Sequence, residues 1–211
     1  AEKGDPTVIL AIDFEKRSRF RANGHVAEPA KAPGDVVQVA TRNNWINCAA
    51  FIPKVSMSAG AATQVGRPPQ VENLKSRSLS PEQHQMISSA FAIYACTAEG
   101  PKGGPEPPRV DLNLRGGSPG FVRVLGPNKI AFPDYPGNGS FITLGNMTHY
   151  PKAGILFPFV QPEGRMLQVV GDVEIKWGPG SCYEGMDREV IITVDQVMET
   201  RREWLHRDEL G

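Results

Sequence analysis

"RVDLNLRGGSPGFVRVLGPNKIAFPDYPGNGSFITLGNMTHYPKAGILF", residues 109–157, decides how this chain is read. "RVDLNL" (109–114) alternates strictly, as a strand with one polar face does. "GFVRVL" (120–125) and "KIAF" (129–132) make a hairpin pattern through "GPN", and "GILFPFV" is another apolar strand. Between these strands, "DYPGNGSFITLGN" (134–146) gathers three glycines, a proline and the hydroxyls of Tyr135, Ser140 and Thr143. So polar and flexible a segment reads either as a long hairpin connection or as a cradle for an anionic cofactor.

Working outward, "RMLQVVGDVEIKW" and "REVIITVDQVMET" add two strands on the C-terminal side, and "AFAIYACTA" (90–98) a buried strand on the other. Ahead of that strand, "SPEQHQMISS" offers Ser80 as a helix N-cap, Pro81 at the first helical position and Gln83 at the capping-box position. "GPKGGPEPP" (100–108) reads as a loop. Six or seven strands with one or two short helices predict a mainly β fold, a small antiparallel barrel.

Composition sets limits. Hydrophobic residues make up 40% of 211, enough for a core. Lys plus Arg and Asp plus Glu both number 23, so the chain lacks the basic excess that charge-driven nucleic-acid binding or a polybasic membrane anchor needs. No apolar run reaches the ~20 residues of a spanning helix. Cys48, Cys96 and Cys182 are widely spaced, with no C-x-x-C and no histidine at ligand spacing. That set predicts buried thiols, no metal site and a soluble protein of a reducing compartment, cytoplasm or organelle matrix or stroma. His25, His84, His149 and His206 have no ligand or triad spacing. The chain starts at Ala1, which reads as a processed form or a fragment, with no targeting peptide visible.

Two stretches align without gaps. "VILAIDFEKRSRFRANGHV" (8–26) falls on "ILFPFVQPEGRMLQVVGDV" (155–173), with Phe20 on Leu167, Gly24 on Gly171 and Val26 on Val173. "DVVQVATRN" (35–43) likewise resembles "EVIITVDQV" (189–197). A period of roughly 150 residues exceeds solenoid repeats and predicts a duplicated domain whose first copy lacks its N-terminal half. The expected division is a partial domain over 1–55, a linker or strap over 56–85, a complete domain over 86–205 and a tail over 206–211.

The run Arg115-Gly116-Gly117, Pro119 through Val124, Pro133-Asp134-Tyr135, Gly137-Asn138, Leu144-Gly145-Asn146 and Pro151 through Phe157 resembles the pyridoxamine 5′-phosphate oxidase-like group of FMN-binding split barrels. "AIDFEKRSRFRANG" and "NWINCAAFI", with Asn47, Cys48 and Ile52, resemble matching elements of tandem members, which carry two such barrels. The resemblance spans nearly everything but the linker and tail. It implies an antiparallel split β-barrel, an FMN cofactor and, in the active members, flavin-dependent oxidoreductase chemistry.

The resemblance also suggests the site. FMN brings a phosphate, which wants arginine forks and bare backbone N–H groups. Arg115 and Arg123 are the phosphate candidates, against their reading as solvated strand-face charges. Asp134, Asn138 and Gly139 fall in the cradle; Ser140, Thr143 and Asn146 can bond phosphate or ribityl oxygens; Tyr135 can flank the ring. Asn138 and Gly139 read equally as loop closure. Asn138 and Asn146 fit the glycosylation acceptor pattern, which the cysteine reading disfavours. "RSRFR" (17–21) reads as an exposed turn and strand face, not an anion site, and Cys48 as a buried thiol rather than a pocket residue.

Two departures stand out. Leu114 occupies the position where tandem relatives often have a histidine, and "RREWLHRDELG" does not align with the oxidases' arginine-bearing C-terminal segment. The alternative is therefore a non-catalytic scaffold or accessory subunit that has lost flavin chemistry. An incomplete barrel leaves strand edges open, so a second barrel or subunit is the expected partner, in a dimer or hetero-complex.

Overall fold

The structure is a computed structural model that describes residues 1–32, 35–47, 49, 52, 70–72, 76–101, 108–136, 139–160, 165–178, 186 and 188–201. The fold is mainly β and antiparallel, with two short helices, as expected.

A three-stranded meander comes first: β1 (Pro6–Asp13), β2 (Ser18–Glu28) and β3 (Gln38–Asn47), paired in that order. The larger sheet contains β5 (Ala92–Ala98), β6 (Val110–Gly116), β7 (Arg123–Gly126), β8 (Lys129–Pro133), β9 (Lys152–Val160), β10 (Arg165–Trp177) and β11 (Arg188–Arg201). Their spatial order is β6-β5-β9-β10-β11-β8-β7, an open path with β6 at one end. A three-residue strand, β4 (Gln70–Glu72), pairs with β11. It falls inside the stretch read as a linker and fastens it along the sheet. The core lies between the larger sheet and helix α1 (Pro81–Ser89), around Ile87, Ile93, Phe132, Phe157, Leu167 and Ile192.

Helix α1 starts as its sequence predicts. The Ser80 hydroxyl accepts from the Gln83 N–H, and the Gln83 side chain accepts from the Ser80 N–H. Helix α2 (Ile142–His149) is a correction, because its sequence reads as loop. Its N-cap, Phe141, has no side-chain cap. What holds it is tertiary: Thr143, Leu144 and Met147 share a buried face, and Asn146 donates to the Thr97 hydroxyl on β5 at 3.1 Å. Cys96 is also a correction to the buried-thiol expectation, since its side chain on β5 is exposed. Cys48 and Cys182 lie outside the described residues.

Two of the aligned glycines sit at register shifts. Gly24 sits where β2 and β3 slip register by one residue, and Gly171 where β10 and β11 do. A Cβ on Gly24 would lie 1.9 Å from the Ala40 carbonyl oxygen, and one on Gly171 would lie 2.1 Å from that of Thr193. Both bulges thus require glycine for the same reason, a close backbone approach. The register equates Thr41 with Val194, one residue away from the alignment read from sequence, in which Thr41 falls on Asp195.

Candidate functional site

Strand β6 is a sheet edge, and its outward carbonyls need donors. Side chains of β2 supply them. The Arg19 guanidinium donates to the Leu114 carbonyl at 3.4 Å, Arg21 to Leu112 at 3.3 Å and the Asn23 amide to Val110 at 2.5 Å. Alternate residues of one strand thus meet alternate carbonyls of the other, running antiparallel. Among the described residues, side chains rather than backbone stitch the small meander to the large sheet.

This seam opens into a cleft of about 290 Å³. Arg19, Arg21 and Asn47 line it from the meander, Leu114 and Arg115 from β6, and Arg188 from the start of β11. The segment from Asp134 to α2 covers it with Tyr135, Gly139, Ser140, Phe141 and Ile142. Four guanidiniums therefore converge from three strands of two sheets.

Their counter-charges are internal. Arg21 pairs with the buried carboxylate of Asp111, and Asp111 also accepts from the Thr143 hydroxyl at 2.9 Å. Asp134 accepts from Arg115 at 2.9 Å and from Arg188 at 2.8 Å. The Asp134 bridge joins β6 to β8 and β11 where backbone pairing does not. Burial lowers the pKa of Arg115 and Arg21; Asp134 opposes this at Arg115, Asp111 at Arg21, and nearby guanidiniums, Arg19 among them, add to it. Arg21 also stacks over Trp45, 4.3 Å from the ring centre, and Arg188 lies 5.2 Å from that of Phe141. Buried Nε atoms of Arg21 and Arg115 and the Asn47 Oδ1 have no hydrogen-bond partner among the described residues.

The structure brings Arg115, Asp134, Tyr135, Gly139 and Ser140 together in the cleft. Thr143 stands behind it on Asp111. Arg123 and Asn146 are not lining residues: Arg123 is exposed on β7, and Asn146 bonds Thr97. Asn138 lies outside the described residues. The reading of "RSRFR" as an exposed face is overturned for two of its arginines, since Arg19 and Arg21 are buried in the cleft wall. Sequence reasoning also missed Arg188, Asp111, Asn47 and Phe141. Arg19, Arg21 and Asn23 at alternate positions were the legible signal, a polar stripe on a strand beside an apolar one.

Among the described residues no group of His, Cys, Asp or Glu could hold a metal, and no helix is long and apolar enough to cross a membrane.

No protein-family model matches the chain, and no curated protein matches it. Among solved structures, HupZ of Group A Streptococcus is similar over 56% of this chain and 91% of its own, at 16% identity and TM-score 0.39. An FMN-binding protein from Syntrophomonas wolfei subsp. wolfei covers 55% of this chain and 86% of its own, at 7% identity and TM-score 0.36. An FAD-binding protein from Mesorhizobium loti covers 64% and 99%, at 10% identity and TM-score 0.41. Likeness at these scores carries nothing about the residues of the cleft.

Proposed function

We propose that this chain is an FMN-binding protein of the split-barrel class, its flavin held in the Arg19–Arg21–Arg115–Arg188 cleft. The carrying observation is the convergence of four guanidiniums, from three strands of two sheets, on one cleft. A phosphate monoester, with about −1.5 to −2 charges and three acceptor oxygens, matches such converging donors. Buried Nε atoms of Arg21 and Arg115 without partners among the described residues fit the same reading.

The apolar side fits a planar ring. Phe141 and Ile142, at the cleft rim, are 52% and 41% exposed, and Tyr135, Leu114 and Leu144 stand beside them. Arg115, Arg188, Arg19 and Arg21 would hold the phosphate, with Ser140 and Gly139 near it, and Tyr135 and Phe141 would flank the ring. A bound flavin supplies hydride or electron transfer at its ring, and the protein supplies binding and orientation. Flavin-dependent oxidoreductase activity is the function this arrangement supports.

A second reading, a binding scaffold without catalysis, is favoured by one observation. The described residues lining the cleft include no histidine or cysteine, and the acid among them, Asp134, is held by two arginines. In either reading one face of the small meander needs a partner. Ile9, Phe20 and Ile46 share it and are 45%, 43% and 78% exposed. A second barrel or subunit fits that face.

The test is the absorbance of natively purified protein near ~450 nm, where flavins absorb. A yellow wild type, with colourless Arg115→Ala and Arg188→Ala variants, is the expected result. A colourless wild type that also takes up no added FMN would falsify the flavin reading.

A further inference from the structure

Asp134 contributes the one carboxylate among the described residues lining the cleft. It is 6% exposed, and each of its oxygens takes one guanidinium: Oδ1 that of Arg115, Oδ2 that of Arg188. Its backbone N–H also donates to the Arg188 carbonyl at 3.1 Å. An anion between two arginine forks is the arrangement a phosphate oxygen pair takes in a binding site. Here the chain's own carboxylate takes it.

Arg115 is engaged incompletely by this contact. Its Nη1 reaches Asp134, while its buried Nε has no partner among the described residues. Arg188 donates through Nε, with its plane against Phe141. A ligand with three anionic oxygens would satisfy these donors more fully than one carboxylate does. It would also meet the Asp134 charge at close range, and like charges side by side in a partly dry site cost affinity.

We propose that Asp134 is a resident competitor: it holds Arg115 and Arg188 against an incoming anion and so sets how tightly the cleft takes a phosphate-bearing ligand. This rests on the reading of the cleft as an anion site. Discrimination follows, because a ligand must outmatch an internal carboxylate. Singly charged carboxylates gain little over Asp134 itself, whereas a phosphomonoester dianion brings more charge and more acceptors.

The experiment compares wild type, Asp134→Asn and Asp134→Ser in calorimetric titrations with FMN, with riboflavin, which lacks the phosphate, and with inorganic phosphate, at several salt concentrations. Both variants are expected to bind FMN and phosphate at least about tenfold more tightly, with a steeper salt dependence. Riboflavin affinity is expected to stay within about twofold, since that ligand does not contend for the arginines. Wild type that binds FMN while both variants bind it equally or more weakly overturns the competitor role and leaves the anion site standing. Absence of FMN and phosphate binding in every form overturns the anion site and this proposal with it. Loss of folding in both variants, seen as a lost cooperative unfolding transition, also overturns it, because Asp134 is then a structural tie.

Discussion

Arg21 and Asp111, 90 residues apart in sequence, form an ion pair whose side chains are 2% and 1% exposed. The pair links the small meander to β6, and through the second Asp111 oxygen it reaches Thr143 in the first turn of α2. Three elements around the cleft thus depend on one carboxylate. Removing one partner of a buried pair leaves the other charge without compensation, which costs about 3–5 kcal/mol. Asp111→Ala is therefore expected to lower unfolding stability by that order in urea titration. The double change Arg21→Met with Asp111→Leu should recover much of the loss, since it buries no lone charge. A double variant as unstable as the single one would contradict this account.

The four cleft arginines and Arg123 should separate cleanly in ligand binding. Arg19→Ala removes a charged donor of the cleft wall, and losing such a bond costs about 1.5–3 kcal/mol, roughly ten- to a hundredfold in affinity. Arg123→Ala, on exposed β7, is expected to leave FMN affinity within about twofold. Fluorescence quenching of added FMN measures both. Equal losses in the two variants would move the site away from the cleft.

The two bulge glycines should respond alike. A Cβ 1.9 Å or 2.1 Å from a carbonyl oxygen forces the strands apart. Gly24→Ala and Gly171→Ala are each expected to lose about 1–3 kcal/mol or more, read from urea midpoints. Gly126→Ala, whose added Cβ would meet nothing within 4 Å, is the control and should change little by that measure.

Alkaline pH should erode stability through Tyr94. Burial raises this phenol above its ordinary 10.0. The unfolded chain then ionises first, so the stabilising contribution is full below about pH 10 and is lost as pH climbs through the folded value. The slope in that window is at most about 1.4 kcal/mol per pH unit for one group. Tyr94→Phe is expected to flatten it. An unchanged slope in the variant would assign the loss to other groups.

Much of the fold was legible because it is local. Ser80 and Gln83 form the capping box they spell, and "GPN" closes the β7–β8 hairpin. Strand alternation survives any environment that buries one face, so its period can be read without knowing the neighbours. Helix α2 was not legible: its uncapped start and polar residues weigh against a helix until Asp111 and Thr97 meet Thr143 and Asn146.

The cleft divides the same way. The sequence by itself determined a mainly β antiparallel chain, a polar segment at 134–146 and Arg115 beside it. Only the tertiary structure decided that Arg19, Arg21 and Arg188 belong with Arg115 and that Arg123 does not. An arginine's fate depends on what lies across from its strand face, and here that is a bare sheet edge brought from about 90 residues away. Edge carbonyls and paired carboxylates made burial of these charges affordable, and no local pattern in the chain encodes that encounter.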